Sequence, residues 1–201
     1  DYVKNSRLGF DKEEILLIPQ GRRIRENPEL LKQRFEQHPN VLHVSVSSHV
    51  PGKPLSFESG AQPEGGNPDG SSDPFQMKVV SADEDFFHCF GMELAAGRNF
   101  SKAFPSDPME AFILNEAAVA ALAWNAPLGK QFEMTFQTGS ASQPIETRTG
   151  RIIGVVKDAH FESLHQLIEP TVFLMKPFWY FYISVKLRST ELPATLAFLE
   201  E

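Results

Sequence analysis

Residues 150–165 restrict this chain more than any other stretch: Gly150-Arg151-Ile152-Ile153-Gly154-Val155-Val156-Lys157-Asp158-Ala159-His160-Phe161-Glu162-Ser163-Leu164-His165. The run from Ile152 to Val156 has no polar side chain at either parity, so it reads as a strand buried on both faces. Gly154 inside that run marks a bulge or a close approach of another backbone. Lys157 and Asp158 make a sharp exit, Asp158 suits a helix N-cap, and a short helix carrying His160 and His165 is expected after it. A strand with two covered faces needs layers packed on both sides of it.

The same stretch carries the side chains that could do chemistry. Asp158, His160 and His165 gather within eight positions and would serve a metal-dependent hydrolase. Two helical metal ligands need i, i+4 spacing to share a face; at i, i+5 they lie about 140° apart, and no HExxH pattern is present. Packing and capping is the better account of these residues. Gly129, Gly150 and Gly154 form neither GxxxxGK[ST] nor GxGxxG, and Ser163 sits in no GxSxG elbow. The one cysteine, Cys89, lies among Phe86, Phe87 and Phe90 and reads as inert core rather than as a nucleophile. No cofactor motif and no convincing acid–base or nucleophile pair emerges. The chain reads as a protein that binds or transmits rather than one that catalyses.

Bulk properties narrow the partners. The 201 residues suit one large domain or two small ones. The net charge of −7 and pI near 5.4 argue against nucleic acid and against anionic membrane surfaces, both of which require a basic face. No run of about 18 apolar residues spans a membrane. The chain opens on Asp1 with no leader pattern, as expected of a segment cut from a longer protein.

Periodicity and punctuation give the remaining elements. Residues 14–19 read as a strand stopped by Pro19; Asn27, Pro28 and Glu29 open a helix. Residues 41–48 alternate as a second strand. Residues 51–74 are so rich in Gly and Pro that they read as one long loop, either a tolerated insertion or a partner-facing segment. A strand at 76–81, a short helix at 83–90 and an extended piece at 92–98 make a second β-α-β unit. Asp83, Glu84 and Asp85 are assigned to the positive end of that helix. Two such units suggest the split β-α-β pattern of ferredoxin-like sheets. Strands follow at 111–114, 129–136, 145–156, 171–175 and 180–187, with a hairpin loop at 138–144 and helices at 116–124 and 192–201. Residues 173–182 are dense in aromatic side chains. Core packing accounts for most of them, while Phe178, Trp179 and Tyr180 are candidates for an exposed partner contact or a ligand-binding tip.

Several segments together resemble the extracytoplasmic domain of MacB-like and FtsX-like ABC transporter permeases. Leu8-Gly9-Phe10-Asp11 before Ile15-Leu16-Leu17-Ile18 is similar to the start of that domain, and His38-Pro39-Asn40-Val41 with Val50-Pro51-Gly52 to its next block. Asp83-Glu84-Asp85-Phe86, then Gly91, Leu94 and Gly97-Arg98-Asn99-Phe100, are similar to D-x-x-F…G-x-x-L-x-x-G-R-x-F. Ile113-Leu114-Asn115-Glu116 with Pro127-Leu128-Gly129-Lys130, and Ile153-Gly154-Val155-Val156-Lys157-Asp158 with Phe161 and Ile168-Glu169-Pro170, complete the order over nearly the whole chain. Ala159 departs from the pattern, which expects an aromatic residue there. The resemblance implies an α+β fold: a porter-like lobe of split β-α-β units (residues 1–104 and 160–201) with an inserted smaller β-rich lobe (residues 105–159). It implies no chemistry and no cofactor in this domain. It also implies a cytosolic ATPase subunit reached through flanking membrane helices, a second permease protomer, a periplasmic or outer-membrane partner, and a place on the periplasmic side of a bacterial inner membrane. Under that reading residues 1 and 201 lie at the same end of the domain.

Overall fold

Two sheets share the hydrophobic residues of this chain between them. The structure, a computed structural model, describes residues 15–19, 27–137, 145–161, 167–176, 180–188 and 192–200. In chain order the elements are β1 (Ile15–Pro19), α1 (Pro28–Glu36), β2 (Val41–Ser47), β3 (Glu58–Pro63), β4 (Phe75–Ser81) and α2 (Phe86–Cys89). Then come β5 (Leu94–Gly97), α3 (Asp107–Glu110), β6 (Ala111–Asn115), α4 (Glu116–Ala121) and β7 (Gln131–Gln137). The chain closes on β8 (Ile145–Val156), β9 (Thr171–Leu174), β10 (Tyr182–Leu187) and α5 (Leu192–Glu200).

The smaller sheet has three strands in the order β1–β10–β2. β10 runs antiparallel to both neighbours, so β1 and β2 point the same way with α1 as their connection. Ile15 pairs with Lys186, which brings the start of β1 beside the end of β10. One face of this sheet buries Val44, Val46, Ile183, Val185 and Leu187 against Phe35 of α1 and Tyr180, with Leu31 of α1 and Leu199 of α5 packed alongside. Removing such side chains from water contributes about 1.5–3 kcal/mol each.

The larger sheet has the order β5-β8-β6-β9-β4-β3-β7, and β7 also pairs with β8. That last pairing closes β8, β6, β9, β4, β3 and β7 into a six-stranded ring, with β5 attached outside it along β8. Closure requires the length of β8: its first half pairs with β7 and its second half with β6 and β5. Inside the ring lie Met77, Val79, Phe112, Leu114, Phe132, Met134 and Ile152. On its outer side Val80, Ile113 and Phe173 pack against Phe86, Phe87 and Phe90. β6 is buried at every position: Ala111 to Leu114 are apolar on both faces, and the buried Asn115 side chain accepts the Ala118 and Thr171 amides. The expected irregularity at Gly154 is present in both forms. The β6–β8 register shifts there, and a Cβ at Gly154 would run into the backbone carbonyl oxygen of Arg98.

Three sequence expectations need correcting. Residues 51–74 are not one loop, because they contain β3, which is hydrogen-bonded to β4 on one side and β7 on the other. Its sequence, Glu58-Ser59-Gly60-Ala61-Gln62-Pro63, has low strand preference, and pairing along both edges holds it extended. The two β-α-β units do not lie side by side. β1 and β2 belong to the small sheet, while β4 and β5 lie in the large one with β9, β6 and β8 between them. The strands of residues 105–159 likewise share one sheet with β3, β4, β5 and β9 instead of forming a sheet of their own. Residues 138–144 and 162–166, read as a hairpin loop and as part of a helix, lie outside the described residues.

Candidate functional site

Helix α1 begins where the sequence puts it: Asn27 Oδ1 accepts the amide of Leu30 at 3.2 Å, and Pro28 occupies the first turn. Its inward face then presents Lys32 and Phe35, one turn apart. Phe35 enters the small-sheet core. Lys32, only 2% exposed, reaches across to the connection between β4 and α2. Its Nζ lies 2.7 Å from Asp83 Oδ2, 2.6 Å from Asp85 Oδ2 and 3.6 Å from Glu84 Oε1. Asp83, equally buried, also accepts Ser45 Oγ at 2.7 Å and the amide of Val46 at 3.1 Å. Lys102 neutralises the outer part of the cluster, 2.8 Å from Glu84 and 3.2 Å from Glu29.

Burial works against the charge on Lys32, but Asp83 and Asp85 override it and hold the ammonium protonated well beyond its ordinary range. Burial pushes the Asp83 carboxyl up to about 6, against the opposing pull of Lys32, Ser45 and Val46. At neutral pH both partners are therefore charged.

Asp83, Glu84 and Asp85 thus do something other than cap a helix. Asp85 occupies the N-cap position of α2 but makes no side-chain cap bond. The cation these acids bind is Lys32, which sequence spacing alone does not bring near them.

Next to this cluster a buried polar seam joins the two sheets. The Ser48 amide donates to Ser81 O at 2.8 Å, and the Ser81 amide donates to Ser48 Oγ at 2.9 Å. Ser81 Oγ donates to Lys176 O and accepts the Lys176 amide, both at 2.9 Å. Phe181 N donates to Ser47 O, and Asp83 N to Val46 O. His49, 5% exposed, accepts the Ser56 amide on Nε2 at 3.1 Å, which leaves Nδ1 as the protonated nitrogen facing Ser48 Oγ at 2.9 Å. Burial lowers its pKa to about 4, so the ring is neutral. The seam includes Ser47, which ends β2, with Ser48 and His49 after it, and Lys176 and Phe181, which lie on the connection from β9 to β10. Such an arrangement fixes one relative position of the two sheets through directional polar bonds, alongside the packing of Ile15 and Tyr182 on the outer core of the ring.

The sequence candidates fall elsewhere. Asp158 caps a helix, but that helix is α4. Its Oδ1 accepts the Ala117 amide at 3.0 Å, while its own amide donates to Glu116 Oε2 at 3.1 Å. Asn115 Oδ1 caps the same turn through the Ala118 amide. His160 lines a small cavity with Leu55, Met92, Phe161 and Phe173, and no hydrogen bond links it to Asp158 among the described residues. His165, Phe178 and Trp179 lie outside the described residues. Tyr180 is 4% exposed in the small-sheet core, so its ring is not available to a partner in this arrangement. Cys89 is fully buried and its thiol is pushed up to about 12 by that burial, as befits a core residue. Ala159 is buried in the core outside the ring, next to Phe161, which supplies an aromatic ring two positions later. Among the described residues no three His, Cys, Asp or Glu side chains converge on a metal position, and no helix is long and apolar enough to cross a membrane.

Comparison of folds places this architecture. The periplasmic region of MacB from Actinobacillus actinomycetemcomitans aligns over 100% of this chain and 87% of its own, with a TM-score of 0.57 and 16% identity. The extracellular domain of the noncanonic ABC-type transporter YknZ from Gram-positive bacteria aligns over 90% of this chain and 87% of its own, with a TM-score of 0.54 and 15% identity. A domain of a putative permease protein from Porphyromonas gingivalis covers 82% of this chain and 64% of its own, at a TM-score of 0.52 and 19% identity. No protein-family model matches the chain, and no curated protein matches it in sequence. The chain has the mixed α and β fold of periplasmic and extracellular domains of ABC transporter permeases, the class its motifs resemble.

Proposed function

We propose that this chain works as the extracytoplasmic domain of an ABC transporter permease. In that role it is non-catalytic, and it passes movements driven by a cytosolic ATPase subunit to substrate handling or partner activation outside a bacterial inner membrane. The observation that carries this reading is the likeness to the MacB periplasmic region over the full length of the chain. The pairing of Ile15 with Lys186 supports it, because segments leading away from β1 and β10 start from one end of the small sheet, as two tethers to one bilayer require. The order β1–β10–β2 with α1 as crossover supports reading the small sheet as a split β-α-β, porter-like unit. The polar seam between the sheets supports the reading as the contact through which transmission would pass, since transmission requires contacts that differ between two arrangements. A second protomer and a periplasmic or outer-membrane protein complete the expected set of partners.

Two measurements on the whole protein in bacterial cells test this. Ser72 is exposed and Cys89 is buried, so Ser72→Cys adds one reactive thiol to this segment. A membrane-impermeant maleimide should label it in intact spheroplasts, and protection until lysis would overturn the assignment. Deleting residues 15–200 should leave ATP hydrolysis by the assembled transporter but abolish transport, and transport by the deletion variant would remove the coupling role.

A further inference from the structure

Arg148 is the residue whose surroundings least explain it. It pairs across the strands with Met134, which belongs to the apolar interior of the ring, so its side chain shares that inner face. It is 6% exposed. Its Nη1 donates to the carbonyl of Met175 at 3.0 Å, while Nε is buried with no hydrogen-bond partner. No carboxylate lies within ion-pair distance of it among the described residues. Glu146, two residues earlier on the same face, is instead 2.6 Å from Lys176 Nζ, which lies over the ring of Phe136. Arg148 and Lys176 are thus both buried cations, and Glu146 pairs with Lys176. Burial disfavours the charge on Arg148, and nothing on the protein side offsets it fully.

The unpartnered Nε belongs to the planar Nε–Nη2 edge of the guanidinium, the fork that binds carboxylates through two parallel hydrogen bonds. Mouths of small β-barrels are common ligand positions. The rim here is open at Glu146, whose side chain is 40% exposed. We propose that this end of the strand ring is a binding site for a carboxylate, seated on the Nε edge of Arg148 with Lys176 at its rim. The carboxylate comes either from a free small organic acid or from the C-terminus of a peptide; the chemistry is the same. The inference stands apart from the transporter reading and survives or fails without it.

The Nε–Hε resonance of Arg148, assigned by its loss in Arg148→Lys, reports binding directly in the ¹⁵N-labelled chain. Sodium acetate and N-acetyl-dialanine with a free carboxyl terminus are titrated separately at constant ionic strength, against sodium chloride and the peptide amide as controls. A saturable shift with the carboxylates and none with the controls is expected. An equal response to acetate identifies a free-acid site, and at least tenfold tighter binding of the peptide identifies a C-terminus site. Absence of a saturable shift with both carboxylates, or an equal shift with the amide, overturns the proposal. Arg148→Met supplies an independent arm. Without carboxylate it should melt at or above the parent temperature, and it should lose the rise in melting temperature that carboxylate gives the parent. Melting several degrees lower without carboxylate would show that Arg148 is a structural ion, and the site would be withdrawn.

Discussion

Lys32 Nζ and Asp83 Oδ2, 51 positions apart in the chain, lie 2.7 Å from each other at the boundary between the two sheets. The contact joins α1, which belongs to the small sheet, to the connection leaving β4 of the ring. Beside it Ile15 of β1 and Tyr182 of β10 pack against the cluster of Phe86, Phe87 and Phe90, so polar bonds and apolar packing hold this boundary together.

Replacing Lys32 with Met should therefore be severe. It leaves Asp83 uncompensated in a buried site, and a loss of about 3–5 kcal/mol is expected in urea unfolding. Lys32→Met combined with Asp83→Asn should cost less than the two single changes added together, since the pair acts as a unit. A loss below about 1 kcal/mol for the single variant would mean that the pair does not hold the boundary.

His49 should make the chain sensitive to acid. Its folded pKa, about 4, lies below the ordinary 6.5, so between those values the unfolded chain takes up a proton that the folded one refuses. Stability is fully present above about pH 6.5 and falls as the pH drops toward 4. The loss should be about 2 kcal/mol, allowing for partial solvent access. His49→Gln should remove this component from a series of melts between pH 7 and 4.5; an unchanged pH profile in that variant would assign the sensitivity to other groups.

Gly154→Ala should destabilise by about 2–3 kcal/mol, because the added methyl meets a backbone carbonyl that cannot swing aside. Chemical denaturation measures this directly. A neutral effect would show that the segment containing Arg98 can move away from β8.

Arg98 makes a two-pronged bond to the buried Asp107, with Nη1 and Nη2 each 2.7 Å from a carboxylate oxygen, and it lies 3.8 Å over the ring of Phe104. Arg98→Lys keeps the charge but loses the fork and the stacking. A loss of about 1–2 kcal/mol is expected in thermal melts. Equal stability would reduce this arginine to a solvated surface charge.

What the sequence disclosed follows from the range of the forces involved. Asn27 and Pro28 announce α1, and the apolar run from Ile152 to Val156 in β8 announces a strand with two covered faces, because caps and burial patterns are local. Gly154 announced its close contact because only glycine leaves that room. β3 stayed hidden because Glu58-Ser59-Gly60-Ala61-Gln62-Pro63 is held by strands on both sides and not by its own preference. Local reasoning assigned Asp83, Glu84 and Asp85 to the nearest helix dipole, while their actual partner comes from α1. Asp158 shows the same limit: the residue type signalled a cap, but the capped helix precedes it by some forty positions. Ring closure through β7 and β8, and with it the placing of Arg148 inside, depends on pairings that no short window of residues contains.

The neighbourhood of Ile15 and Lys186 also gives the small sheet a mechanical direction. A force that draws the outer ends of β1 and β10 apart loads their ladder one hydrogen bond at a time, beginning at that pair. A force shared by both ends pulls instead along the strands and meets the ladder between β10 and β2 all at once. The small sheet should therefore yield easily when those two strand ends are pulled apart and resist when they are pulled the same way.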